Sequence, residues 1–296
     1  MRQRSVLASF LAPERQGAMT RRRRLIRNAL LAPVALTSLS SAAQTPLQIG
    51  VLPHVSARVI LTNYQPLRRH LERRFDRQVE ISTAANFREF HQRSMAGAYD
   101  LVVTAANLGQ IAQVEGKLSA IAIYEPRIPG LLVMLKARAV ADVEEIRGKT
   151  LAVANPQSLV ALKGMHWLSE RRLRVGADFK TVHAANDESL AQLLSSGEAP
   201  LAMMSRGEFR AIHEDVRARL DVFSEFTKVP GFMVLIGNSL SSAQAEAMRA
   251  ALADFLATDD GRQFSALTGT TAIRGLEDAD LQSLDEVMDE TRGLLA

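Results

Sequence analysis

The same order of patterns, strand, helix, strand, helix, strand, occurs twice in this chain about a hundred residues apart, and that repetition constrains the fold more than any other feature. In the first copy Leu47 to Leu52 reads as a strand ended by Pro53, and Gln65 to Phe75 as a helix with Leu67, Leu71 and Phe75 on one stripe. Gln78 to Ser82 comes next as a strand, Phe87 to Met95 as a helix and Leu101 to Thr104 as a third strand. In the second copy the strands are Thr150 to Ala154, Lys180 to His183 and the run up to Met204, with helices over Gln157 to Arg172 and Glu188 to Ser195. The closing segments mirror each other: Gly97-Ala98-Tyr99-Asp100-Leu101-Val102-Val103-Thr104 stands against Gly197-Glu198-Ala199-Pro200-Leu201-Ala202-Met203-Met204. Strands alternating with helices predict an α/β fold, each lobe a mixed, mostly parallel sheet flanked by helices.

The segment after the second copy is too short for a third domain. Beyond Pro230-Gly231 come a strand (Phe232 to Ile236), a helix from Ser242 to Ala257 and a short helix from Asp278 onward. Packed back on the first unit, this tail makes the chain pass between two lobes twice, near Leu131 to Lys136 and near Gly231 to Gly237. The expected organisation is a leader over 1–43, a first lobe over 44–135, a second over 136–231, and a return crossover with C-terminal helices over 232–296. Two crossovers between two lobes make a hinge, and a hinge makes a closing cleft.

Of the 296 residues, 47% are hydrophobic, ample for such a core, and none is cysteine. Disulfide scaffolds, thiolate metal sites and cysteine nucleophiles are thereby excluded. The net charge of +4 invites a nucleic-acid reading until its distribution is examined. Eight of the 36 basic residues and one of the 32 acidic ones lie in residues 1–43, which leaves 28 bases against 31 acids in the rest. That remainder offers no general attraction for a phosphate backbone. The front charge belongs to a leader: Arg21 to Arg24 with Arg27, an apolar stretch from Ala29 to Leu39, then Ser41-Ala42-Ala43 as a small-residue cleavage site. This reads as a secretory signal peptide, with Met1 or Met19 as the start, and Arg22 to Arg27 approximates a twin-arginine signal. The expected location is the periplasm, with the membrane reached only through a partner.

The run Leu47 to Pro53, then Tyr64-x-Pro66-Leu67-x-x-x-Leu71-Glu72, Gly97-x-x-Asp100-Leu101, Arg147-Gly148-Lys149 before a strand, and Asn155-Pro156-x-Ser158 resembles the phosphate/phosphite/phosphonate-type periplasmic substrate-binding proteins of ABC transporters. The resemblance covers essentially the whole chain after the leader. It implies the two-lobe type 2 periplasmic binding protein fold, with two hinge crossovers and an anion clamped between the lobes. The chain departs from the family at the ligand signature. Phosphonate binders there carry Asp-Pro-x-Ser-Thr-Ser-Gly, whose hydroxyls and helix amides hold the oxyanion, where this chain has Asn155, Pro156, Gln157, Ser158, Leu159, Val160 and Ala161. Asp187 stands where the resemblance implies a histidine, with His183 nearby.

Ligands of such sheets bind beyond the carboxyl ends of the strands. His54 and Ser56 come after the first strand, Ser56 as ligand contact or helix cap. Thr104 and Asn107 come after the third, with Thr104 again contact or cap. Ser158 opens a helix whose free amides favour an anion, and Ser205 and Arg206 succeed the strand ending at Met204. Arg206 could grip an oxyanion through two N–H groups or sit in a salt bridge. Tyr124 and Arg127 have similar standing, and Asp187 completes the set. The basic run Arg68 to Arg77 reads as a solvated helix face.

Enzyme patterns are not met. Gly148-Lys149-Thr150 precedes a strand and lacks the upstream glycine of a P-loop, no GxGxxG, GxSxG or HExxH occurs, and the six histidines are scattered. The expected function is that of a non-enzymatic solute-binding protein. It acts as a monomer, without cofactor or metal, and delivers a small anionic ligand to an ABC permease. A ligand-sensing component signalling to a histidine kinase and a hydrolase with a dispersed triad are the alternatives.

Overall fold

The computed structural model describes residues 45–184, 186–237 and 240–295, without the side chains of Asp187 and Glu188. The leader expected over 1–43 lies outside the described residues. No helix among the described residues is long and apolar enough to cross a membrane.

The first copy of the repeat comprises β1 (Leu47–Val51), α1 (Ala57–Phe75), β2 (Val79–Ser82), α2 (Phe87–Met95) and β3 (Leu101–Thr104), and continues into α3 (Ala106–Val114) and β4 (Leu118–Glu125). Helix α1 starts at Ala57, well before the Gln65 expected from its apolar stripe, with Pro66 buried inside it and Ser56 as its cap. The basic run on this helix is only partly solvated: Arg69 and Arg73 both pair with Asp260.

Then come β5 (Ile128–Leu135) and the second copy, β6 (Thr150–Val153), α4 (Leu159–Glu170), β7 (Lys180–His183), α5 (Asp187–Ser196) and β8 (Leu201–Ser205). Two short helices, α6 (Arg206–Ala211) and α7 (Glu214–Arg217), lead to β9 (Leu220–Val229). The tail is β10 (Met233–Gly237), α8 (Ser242–Phe255), α9 (Asp259–Thr268), β11 (Ala272–Arg274), α10 (Asp278–Gln282) and α11 (Met288–Leu295).

These strands form two sheets, β11-β4-β10-β3-β1-β2 and β7-β6-β8-β5-β9. Each is parallel in its repeat-derived part, β2-β1-β3 and β7-β6-β8. Each then turns antiparallel: β10 runs against β3 and β4, and β5 against β8 and β9. The antiparallel share is larger than the sequence pattern predicts, because the strands that carry the chain between the sheets enter them in reverse. The first passage also falls earlier than the expected 131–136. Leu131 already pairs with Met204 inside the second sheet, so the chain changes sheets between Glu125 and Ile128.

The central strands are covered on both faces, and their side chains alternate between two clusters. Leu101 and Val103 of β3 join Val234 and Ile236 of β10 on one face of the first sheet, packed on α1, α8 and Phe264. Val102, Met233 and Leu235 face the other side, with Phe87, Phe90 and α3. In the second sheet Ala202 and Met204 face α5, while Leu201 and Met203 face α4. Helix α11 packs on α2 and α3. The C-terminal segment also reaches the second unit, where Lys163 of α4 pairs with Glu286 and His166 with Glu290.

Candidate ligand-binding cleft

Loops beyond β1, β3, β6 and β8 and both passages between the sheets enclose one cleft of about 480 Å³. The first unit contributes Leu52 to Val55 except Pro53, residues of α1, and Ala105 with Ala106. The second contributes Ser158 to Val160 and Ser205 to Ala211 except Phe209, and the passages supply 124–129 and 229–232.

Of the residues expected at a site, His54, Tyr124, Arg127, Ser158, Ser205 and Arg206 line this cleft, and Ser56, Thr104 and Asn107 do not. The His54 ring lies 4.6 Å from that of Phe232, and its Nδ1 is 2.9 Å from the Leu52 carbonyl oxygen. Burial holds its pKa below the usual range, against the pull of that carbonyl. Ser56 is an exposed cap, its hydroxyl accepting the Val59 N–H. Thr104 is buried in β3 opposite Met233. The expectation of Thr104 as a cap is corrected, because the capping position of α3 is Ala105, which offers no side-chain acceptor. Asn107 is fully buried and donates to the Thr291 hydroxyl at 3.0 Å, tying α3 to α11. The Asp187 side chain lies outside the described residues.

Tyr124 is buried, with its phenol beside that of Tyr64. Burial raises the pKa of both Tyr64 and Tyr124, so these phenols stay neutral in the cleft wall. Ser158 caps α4, accepting the Ala161 N–H at 3.1 Å. Arg206 donates to Glu225 at 2.8 Å and, with Lys228, holds that carboxyl below its ordinary pKa. Both readings of Arg206 therefore coexist: it borders the cleft and it is in a salt bridge.

Glu208, Arg210 and Phe232 are among the lining residues that the sequence reading does not anticipate. Glu208 closes a reciprocal cap, accepting the Ser205 N–H at 2.6 Å while Ser205 Oγ accepts the Glu208 N–H at 3.1 Å. Burial pushes its pKa up to about 7. The Ser205-x-x-Glu208 spacing is the capping-box signature and could have revealed it. Arg210 lies two residues further along α6, and Phe232 at the return passage carries no local signal at all. No cluster of potential metal ligands occurs among the described residues.

A cleft at the strand ends of two mixed sheets, bordered by both passages between them, defines a two-lobe ligand-binding protein of the type 2 periplasmic class. Residues 49–281 match the family model described as "ABC transporter, phosphonate, periplasmic substrate-binding protein", and the chain belongs to that family. Its likeness to solved structures lies in the fold. The binding protein component of an ABC phosphonate transporter from Pseudomonas aeruginosa aligns with a TM-score of 0.71 at 15% identity, covering 85% of this chain and 89% of that one. PhnD1 from Prochlorococcus marinus, in complex with methylphosphonate, aligns with a TM-score of 0.71 at 12% identity, covering 83% and 98%. The periplasmic aliphatic sulphonate binding protein SsuA from Escherichia coli gives 0.61 at 14% identity, covering 83% and 92%. No curated protein matches the sequence significantly.

Proposed function

We propose that the protein captures an organic anion of the phosphonate or sulfonate type in this cleft, in the periplasm, and presents it to the membrane permease of an ABC importer. The observation that carries the reading is the cleft itself, which draws its walls from both sheets and both passages in a chain of this family. The two lobes are residues 45–126 with 232–295, and 128–229. A ligand that touches both stabilises the closed arrangement over the open one, and the difference in affinity between the two is the signal a permease reads. No bond needs to be made or broken. His54 and Tyr124 would contact the ligand from the first lobe, and Ser158, Ser205 and Arg206 from the second.

Thermal unfolding of the purified protein against phosphate, phosphonates, sulfonates, carboxylates and amino acids tests this. A specific ligand at about a hundred times its Kd adds roughly 2.7 kcal/mol, an easily read rise in Tm. If no anion in the panel raises Tm, the reading fails.

A further inference from the structure

The cleft is larger and more apolar than a small oxyanion needs. Its volume of about 480 Å³ falls in the range that accommodates drug-sized ligands. Much of its wall is aliphatic or aromatic, with Leu52, Val55, Ile60, Phe87, Val229 and Phe232 among the lining. At the start of α4, where hydroxyls could have offered donors, Leu159 and Val160 are 4% exposed and pack with Leu52 and Phe87. A fully hydrated anion gains nothing from such walls, whereas each methylene buried against them strengthens binding several-fold.

The charged residues narrow the choice further. Five line the cleft: Glu125, Arg127, Arg206, Glu208 and Arg210. Glu125 is bonded by Arg274 at 2.7 Å, and Arg206 is engaged by Glu225. Glu208 is enclosed in its cap with Ser205. Arg127 donates its Nε only to the Lys228 carbonyl oxygen, at 3.2 Å. Among the described residues neither Arg127 nor Arg210 has a carboxylate within ion-pair distance, and although the charge of Arg127 is felt at Asp280, these two carry the least compensated charge of the cleft.

We propose that the ligand is an amphipathic organic anion, with an acid group held by Arg127 and Arg210 and an apolar body of several carbons against the Leu52–Phe87–Phe232 wall. This rests on the capture of an anion proposed above and specifies its class. Arg127 comes from the first passage between the sheets and Arg210 from the last turn of α6, and the body is recognised by area instead of donors.

Isothermal titration of the purified protein with methyl-, butyl- and phenylphosphonate, and with the corresponding sulfonates and carboxylates, tests it. Affinity is expected to rise at least about tenfold from the methyl to the butyl or phenyl member within one acid series. The double variant Arg127→Gln, Arg210→Gln should lose about tenfold or more for the best binder, whereas Arg206→Gln should lose less. Both variants change exposed or half-exposed side chains, and unfolding curves verify that they fold. Methylphosphonate or phosphate binding as tightly as the larger members overturns the amphipathic class while leaving anion capture standing. A double variant that binds like the parent overturns the assignment of the acid to these two arginines. Silence across all three acid series, short and long, overturns this proposal together with anion capture.

Discussion

Asn86 caps α2 with φ −156° and ψ 172°, and Asn186 caps α5 with φ −155° and ψ 172°. Each accepts the backbone N–H three residues on, from Glu89 and from Ser189, at 2.9 Å in both cases. Gly97 and Gly197 come just after those two helices, with φ of 77° and 78°. Ser56 and Ser158 cap the helices after β1 and β6 in the same manner. The two units part at the end of their third strands. Ala105 leaves α3 without a side-chain cap, while Ser205 and Glu208 close a reciprocal box on α6. The framework positions are fixed by what the backbone requires there, a cap oxygen or a left-handed residue, and few side chains meet that requirement. Ala105 and Ser205 both line the cleft, and there the two units differ.

Replacing Glu208 probes this divergence with the largest expected effect. Burial pushes its pKa up to about 7, above the 4.5 of an unburied glutamate. The folded state therefore favours the protonated acid. The cost of ionising it begins as pH rises above about 4.5 and is complete above about 7. Glu208→Gln keeps an acceptor for the Ser205 N–H and removes that cost. Urea unfolding should find the variant more stable than the parent by up to about 3 kcal/mol at pH 8.5 and equal to it at pH 4. Equal stability at both pH values would show that this box is as solvated as an ordinary surface cap. A bound sulfonate, whose own charge is constant in this range, should also weaken as pH rises through 7 in the parent and not in the variant, because the ionised carboxyl shares its cleft.

The left-handed glycines come next. Gly97→Ala and Gly197→Ala should each cost about 1–2 kcal/mol, since an L residue is disfavoured in that backbone region whatever the surroundings. A Cβ at Gly97 meets open space, whereas one at Gly197 meets the Arg138 guanidinium, so the second should cost the same or slightly more. A large cost at one site and none at the other would break the equivalence of the two units.

This contrast also explains what the sequence discloses. The repeat, its strands and most of its helices are legible from apolar periodicity and turn residues, both local signals. Helix α3 escapes because Ala105 gives no start signal, and α1 reads short because Pro66 looks like a first helical position instead of an interior one. Strand β9 escapes because, as the outer strand of its sheet, it is largely half-exposed and lacks a clean alternation. The run Ile128 to Leu135 is plainly apolar, but nothing in it says that its partners are Met204 and Glu225. The candidate site is legible to the same degree. Loops after strands locate His54, Ser158, Ser205 and Arg206, while the Arg206–Glu225 and Asn107–Thr291 contacts join residues distant in sequence and need the fold.

The smallest effects concern the caps, and they sharpen the comparison most. Asn86→Ala and Asn186→Ala should each cost about 1 kcal/mol, equally within a few tenths, because both lose one bond of the same length in the same geometry. Ala105→Ser runs the other way. Ala105 already has φ −61° and ψ 144°, close to the cap geometry of Ser205 at −76° and 160°, so the new hydroxyl needs no backbone change to accept the Leu108 N–H. A gain of about 0.5 kcal/mol is expected, at the low end for a cap because the residue is half-buried in the cleft wall. Chemical denaturation with its midpoint compared to that of the parent measures it. A clear loss instead would mean that the wall at Ala105 has no room for a hydroxyl. The absence of a cap would then be a requirement of the cleft, and the divergence between Ala105 and Ser205 would be selected by its shape instead of permitted by the freedom of the backbone.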